Sequence, residues 1–287
     1  MIRYFSLLLL GASLIGLAPI FVRFNDMSPS WVVVYRMFLS LPLIALLNFY
    51  LNGRSAFTFR SKKNFYLCVL AGIAFGMDLV TWHWGIVYTS VANATVIVNT
   101  APIIVLIFAW LIFKESLSRK NIFYFVLTYI GVAGLIYFSS QEAVNPNYGD
   151  ALSLFSAFCY AVYLLVLTRL GNEDAVTVIF FTSFFCGLLG LLVAINESSV
   201  WLPSLQDFYE LIALAVLCQF GGQFLLTYTL PRLSASKGAI GLSMQPITAT
   251  IFAAWLFGEY LTLVQLFFVI LALLGIYLAR SAMTENL

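Results

Sequence analysis

Residues 90–131 read SVANATVIVNTAPIIVLIFAWLIFKESLSRKNIFYFVLTYIG, and residues 234–275 read SASKGAIGLSMQPITATIFAAWLFGEYLTLVQLFFVILALLG. At an offset of 144 positions the two align without a gap, and twelve of the 42 positions are identical. Ser90 meets Ser234, Pro102 meets Pro246, Glu115 meets Glu259, Leu117 meets Leu261 and Gly131 meets Gly275. Two apolar segments drawn from the same few residue types would share roughly four or five identities. Shared hydrophobicity does not explain coincident proline, glutamate and glycine, so the match marks an internal repeat.

Around this stretch the chain is 62% apolar and 9% charged, far from the roughly 25% charged of soluble domains. A bilayer core about 30 Å thick needs roughly 20 apolar residues per helical crossing, so the spacing of charges acts as a ruler. Runs without Asp, Glu, Lys or Arg cover 4–22, 37–53, 121–141, 151–168, 175–196, 211–231, 238–258 and 260–279. Residues 64–113, broken only by Asp78 and His83, are long enough for two more crossings joined by a turn near Tyr88 to Asn93. The expectation is an all-α membrane protein of ten transmembrane helices, divided into a first five-helix repeat over 1–140 and a second over 147–287. An odd number of crossings per copy makes the second copy enter the membrane in the opposite sense.

The first apolar run follows Arg3 and could be read as a signal peptide. A matching first helix in the second half favours a span. Cys68, Cys159, Cys186 and Cys218 lie singly in apolar segments and read as packing residues, with no metal site or disulfide frame. With the N-terminus inside, twelve of the fourteen basic residues fall on one side: Arg3, Arg54, Arg60, Lys62, Lys63, Lys114, Arg119, Lys120, Arg169, Arg232, Lys237 and Arg280. Cytoplasmic loops are enriched in Lys and Arg, so both termini are expected to be cytoplasmic. The basic residues belong to topology and give no sign of nucleic-acid binding.

Inverted repeats that meet around a midplane site are a transporter design, and a few residues stand out against the apolar background. Pro102 and Pro246 lie mid-helix and would each leave a carbonyl four residues earlier, on Val98 or Leu242, without its amide. They predict helix kinks lining a pore, or packing kinks alone. Asp78 is the one carboxylate well inside a span, and a charge there costs roughly 2.5–3.5 kcal/mol on insertion scales. It is read three ways: it binds a substrate ammonium, takes up a coupling proton, or neutralises Arg36. Trp82 lies one turn beyond Asp78, and His83 follows at a depth similar to that of Arg36. Gln219 and Gln223 lie one turn apart in span 8, where Gly222 occupies the position equivalent to Asp78. Asn99 corresponds to Ser243, each three residues before its proline, and Gln245 is adjacent. These neutral groups could orient a polar ligand, with Trp82, Trp84 and Tyr35 offering aromatic faces to a cation. Tyr160 and Tyr163 are weaker candidates for the same role, with packing the favoured reading; Glu115 and Glu259 read as hairpin residues, and Gly72 with Gly76 as a weak sign of close helix approach.

A helix with an early Ser or Ala, a central Pro and a closing Glu-x-Leu-Ser/Thr, followed by a Gly-bearing span, resembles the drug/metabolite transporter superfamily, EamA type. Here those features are Ser90 to Ala94, Ala101-Pro102 and Glu115 to Ser118, then Ser234 to Gly238, Gln245-Pro246 and Glu259 to Thr262. Arg36 and Gly149-Asp150 are similar to that family's pattern as well. The resemblance implies a ten-helix secondary carrier that moves a small polar or amphipathic metabolite by alternating access. An amino acid or amine and export are favoured, with uptake of a bulky cation such as S-adenosylmethionine as the alternative. It further implies no enzyme activity, no cofactor, and a bacterial inner membrane as the setting. The partners would be the lipid bilayer, a small-molecule substrate and a proton or exchanged solute, with the chain a monomer or homodimer. A lipid-handling or receptor-like protein without solute flux is the competing class. An intramembrane hydrolase is a further class that lacks support, since the sequence shows no second Asp well inside a span, no HExxH motif and no Gly-x-Ser-x-Gly motif.

Overall fold

The structure is a computed structural model that describes all residues except 90–93, 95–96, 115–117, 139–145, 198–200, 258–261 and 282–287. Regular structure among the described residues is helical and forms ten passes. In the first half, span 1 comprises Ile2–Ile15 and Ala18–Phe24, span 2 Pro29–Asn52, span 3 Lys62–Tyr88, span 4 Ala101–Phe113 and span 5 Arg119–Tyr137. In the second, span 6 is Pro146–Arg169 and span 7 Ala175–Ala194. Span 8 runs through Leu205–Ala213, a π-helical stretch Leu214–Gln223, and Phe224–Thr229. Span 9 comprises Ala235–Leu242 and Met244–Phe257, and span 10 is Leu263–Ser281. Spans 1, 2, 3, 6, 7 and 8 hold apolar helices of 20 to 28 residues, long enough at 1.5 Å per residue to cross the hydrocarbon layer. Leu46, Phe49, Leu192 and Phe267 point outward, as expected where the surrounding solvent is lipid.

Local sequence sets where the helices start. The Ser61 hydroxyl accepts the Asn64 amide at 3.2 Å to open span 3, and the Asp174 carboxylate accepts that of Thr177 at 2.8 Å to open span 7. Ser204 and Asp207 form a reciprocal capping box at span 8. Each device satisfies amides that a helix N-terminus otherwise leaves orphaned.

The repeat is visible in the packing. Span 3 packs on span 6 as span 8 packs on span 1, span 2 on span 8 as span 7 on span 3, and span 4 on span 6 as span 9 on span 1. Spans 2 and 7, 4 and 9, and 5 and 10 pack on their own counterparts. Exchanging the halves thus maps these contacts onto themselves, the relation expected of a pseudo-two-fold axis. Gly131 and Gly275, matched across the repeat, are where spans 5 and 10 approach: a Cβ on Gly131 would lie 2.5 Å from the Ala272 amide nitrogen. Gly72 and Gly76 both face span 7, a Cβ on Gly72 falling 2.7 Å from that of Phe185.

Carboxylates fasten the loops at both ends of the bundle. Glu197, after span 7, accepts hydrogen bonds from Ser28, Ser30 and the Trp84 indole, the last at 3.1 Å. At the opposite end Glu173, between spans 6 and 7, accepts the Arg60 amide at 3.2 Å and the Asn64 side chain at 2.5 Å.

Candidate functional site

Three spans are interrupted, and the interruptions converge. Span 1 stops at Ile15, turns through Gly16 and Leu17, and restarts at Ala18. Span 4 has a turn at Asn99 and Thr100 before Ala101, and span 9 breaks at Ser243. All three breaks border one cavity, whose space comes to about 690 Å3 when its open mouth is counted.

The expected proline kinks take a different form. Pro102 is the second residue of Ala101–Phe113 and Pro246 the third of Met244–Phe257. Each therefore occupies the first turn of a new helix, where no intrahelical amide bond is lost and its fixed φ suits the start. A proline in a continuous helix kinks it. Here the helix has already broken, and the proline opens the next segment. Both prolines line the cavity.

Asp78 of span 3 lines the cavity at 4% exposure, and its Oδ1 accepts the Ser156 hydroxyl of span 6 at 2.6 Å. Arg36 of span 2, 1% exposed, lines the same cavity. Its Nε donates to Gln219 Oε1 at 3.2 Å, and the Gln219 amide donates in turn to Ser183 at 2.9 Å. The expected contact between Arg36 and Asp78 does not form as an ion pair. Among the described residues neither has an oppositely charged side chain within 4.0 Å; Asp78 meets the neutral Ser156 and Arg36 the neutral Gln219 instead.

Trp82 lines the cavity at 8% exposure, and its buried Nε1 has no described partner. Asn99, Gln223 and Gln245 complete the expected residues on the wall. The Tyr163 hydroxyl donates to Gln223 at 3.4 Å and the Gln245 amide to the Tyr160 hydroxyl at 3.1 Å. Tyr163 stacks on Phe75 with ring centroids 4.5 Å apart.

Four expected residues lie off this cavity. Tyr35 donates to the Trp201 carbonyl at 3.1 Å, beside Trp31. His83 is buried with Nδ1 3.0 Å from the Pro29 carbonyl oxygen, two turns of span 2 away from Arg36. Gln219 reaches the site through Arg36. The Ser243 hydroxyl donates to the Ala239 carbonyl at 3.3 Å, within its own helix. Glu115, Glu259 and residues 90–93 lie outside the described residues.

Span 6 contributes more than the sequence reading gives it, which weighs Tyr160 and Tyr163 mainly as packing and does not single out Ser153 or Ser156. Ser153, Ser156, Tyr160 and Tyr163 follow a spacing of three, four and three, which places them on one helix face. That polar stripe was a usable signal.

Interrupted helices around a mostly apolar cavity that holds a few polar and charged side chains, within a duplicated ten-helix membrane bundle, are the design of a membrane carrier. The chain belongs to the EamA-like transporter family, whose model matches residues 3–137 and 147–281. It is 24% identical over 244 residues to an uncharacterized transporter of Archaeoglobus fulgidus, covering 79% of this chain and 77% of that one. It is also 23% identical over 199 residues to an S-adenosylmethionine uptake transporter of Rickettsia prowazekii, covering 68% and 65%. A solved crystal structure superimposes with a TM-score of 0.77 at 15% identity over 96% of each chain, a likeness of fold.

Proposed function

We propose that this transporter is a secondary carrier working by alternating access. Its substrate is a small polar or amphipathic metabolite, an amino acid or amine, moved outward across a bacterial inner membrane. The observation that carries this reading is the meeting of the breaks in spans 1, 4 and 9 at a cavity that also holds Asp78. Backbone at membrane depth is freed from helical bonding where it lines a wet cavity, and an intramembrane carboxylate is retained where it binds or titrates. Reversing the two halves about their pseudo-two-fold axis would open the same cavity to either side. Uptake of S-adenosylmethionine is the second reading, favoured by the similarity to the Rickettsia prowazekii protein.

The test is flux of labelled amino acids, amines and S-adenosylmethionine in proteoliposomes, with and without a pH gradient. The expected result is movement of a subset of these solutes, reduced at least tenfold in Asp78→Asn. If no solute moves under any gradient, the carrier reading fails. A variant with full flux and unchanged pH dependence assigns Asp78 a structural role.

A further inference from the structure

The cavity contains two buried, opposite charges that do not neutralise each other by contact. Arg36 and Asp78 both line it, and each has a neutral side chain as its described hydrogen-bond partner, Gln219 for one and Ser156 for the other. Desolvated charges persist where something pairs with them, and removing one partner of a buried pair is costly. A third group makes the same demand. The Trp82 indole is more than nine-tenths buried, lines the cavity and has no acceptor for its Nε1–H, although buried donors are almost always satisfied. The site therefore needs an acceptor with negative charge and a donor with positive charge at the same time.

We propose that the cavity recognises the α-amino acid head of its substrate, Arg36 and the Trp82 indole taking the carboxylate and Asp78 the ammonium. This rests on the carrier reading and narrows it. An ammonium alone would satisfy Asp78 and leave Arg36 and Trp82 unmet. A free amino acid and S-adenosylmethionine carry the same head, so the inference names the chemistry common to both readings, and the remainder of the ligand would lie against the aromatic wall of Phe75 and Tyr160. Arg36 is the natural carboxylate partner because its guanidinium fork still offers terminal N–H groups beyond the Nε bound to Gln219.

The experiment scores binding and flux separately on the purified full-length protein. Binding is read as the shift in melting temperature with each proteinogenic amino acid and with S-adenosylmethionine. Each is compared with its carboxyl methyl ester and its decarboxylated amine, and flux of the same compounds is read in proteoliposomes. At least one intact zwitterion is expected to shift the melting temperature with an affinity tenfold or more above its ester and its amine. Trp82→Phe keeps the ring and removes the N–H. It is expected to weaken the zwitterion several-fold while leaving amine binding unchanged, whereas Asp78→Asn weakens both.

An amine or ester that binds as tightly as its parent overturns the proposal, as does a Trp82→Phe effect equal for zwitterion and amine. A complete absence of zwitterion binding also overturns it, and Arg36 with Asp78 is then a solvent-separated structural pair. Selective zwitterion binding without flux upholds this proposal and sinks the carrier reading. The amino acid and S-adenosylmethionine arms identify which source carries the head.

Discussion

The contact between spans 3 and 6 and the contact between spans 8 and 1 are the same contact in the two halves, yet their chemistry differs. In the first, Asp78 meets Ser156 at 2.6 Å. At the 144-residue offset the counterparts are Gly222 and Ala12. There the backbones close up, with a Cβ on Gly222 falling 3.0 Å from the Gly11 carbonyl oxygen and 2.7 Å from Ile15 Cγ1. The tyrosines behave alike: Tyr160 and Tyr163 correspond to Gly16 and Pro19, which sit where span 1 breaks. Duplication preserved the packing scheme and released the side chains. One wall carries acid, hydroxyls and rings, and the other brings main chain close to the cavity.

The most severe way to break this comparison is to fill the tight contact. Gly222→Leu would force four carbons into backbone that already touches, and overpacking of this kind costs about 1–3 kcal/mol or more. A lower melting temperature and reduced monodisperse yield in detergent are expected, and an unchanged melting temperature would show that spans 1 and 8 can part there. Ser156→Ala tests the polar counterpart without added bulk. A hydrogen bond to a charged group contributes about 1.5–3 kcal/mol, so KM for transport is expected to rise roughly tenfold, while Ala12→Ser leaves it within about twofold. Equal effects at the two positions would mean that Asp78 does not distinguish the halves. Tyr163→Phe is the mildest change. Its hydroxyl reaches Gln223 over 3.4 Å, and losing so long a bond is expected to cost under about 1 kcal/mol, read as a small change in KM with folding intact.

The number of passes was legible because lipid imposes a length on every helix and charges mark the ends. The shared glycines were legible too, since Gly131 and Gly275 recur at the offset that brings spans 5 and 10 together. The azimuth of each helix was not. Rise along span 3 suggests that His83 sits near the depth of Arg36, yet its ring meets Pro29, two turns of span 2 away, because packing sets both the offset between spans and the direction a ring faces. Likewise Arg36 and Asp78 share a cavity, and the neutral partners they bond to, Gln219 and Ser156, come from spans 8 and 6, far away in sequence. Gln219 and Gln223 were read as one face of an ordinary helix. They lie in a π-helical stretch, Leu214–Gln223, which hydropathy does not encode; Gln223 lines the cavity while Gln219 meets it through Arg36. A proline at a helix start and a proline at a kink look the same until the preceding turn is seen.

The breaks in spans 1, 4 and 9 also bear on how this protein would respond to mutation. At a broken helix the wall also gains peptide groups freed from helical bonding, which every amino acid carries. Side-chain replacement leaves that contribution in place, so a substitution scan would register Asp78, Arg36 and Trp82 and remain silent about the main chain beside them. The side chains on the cavity wall can thus change over evolutionary time around peptide groups that point mutation scarcely touches, a property that suits a scaffold asked to accept new cargo.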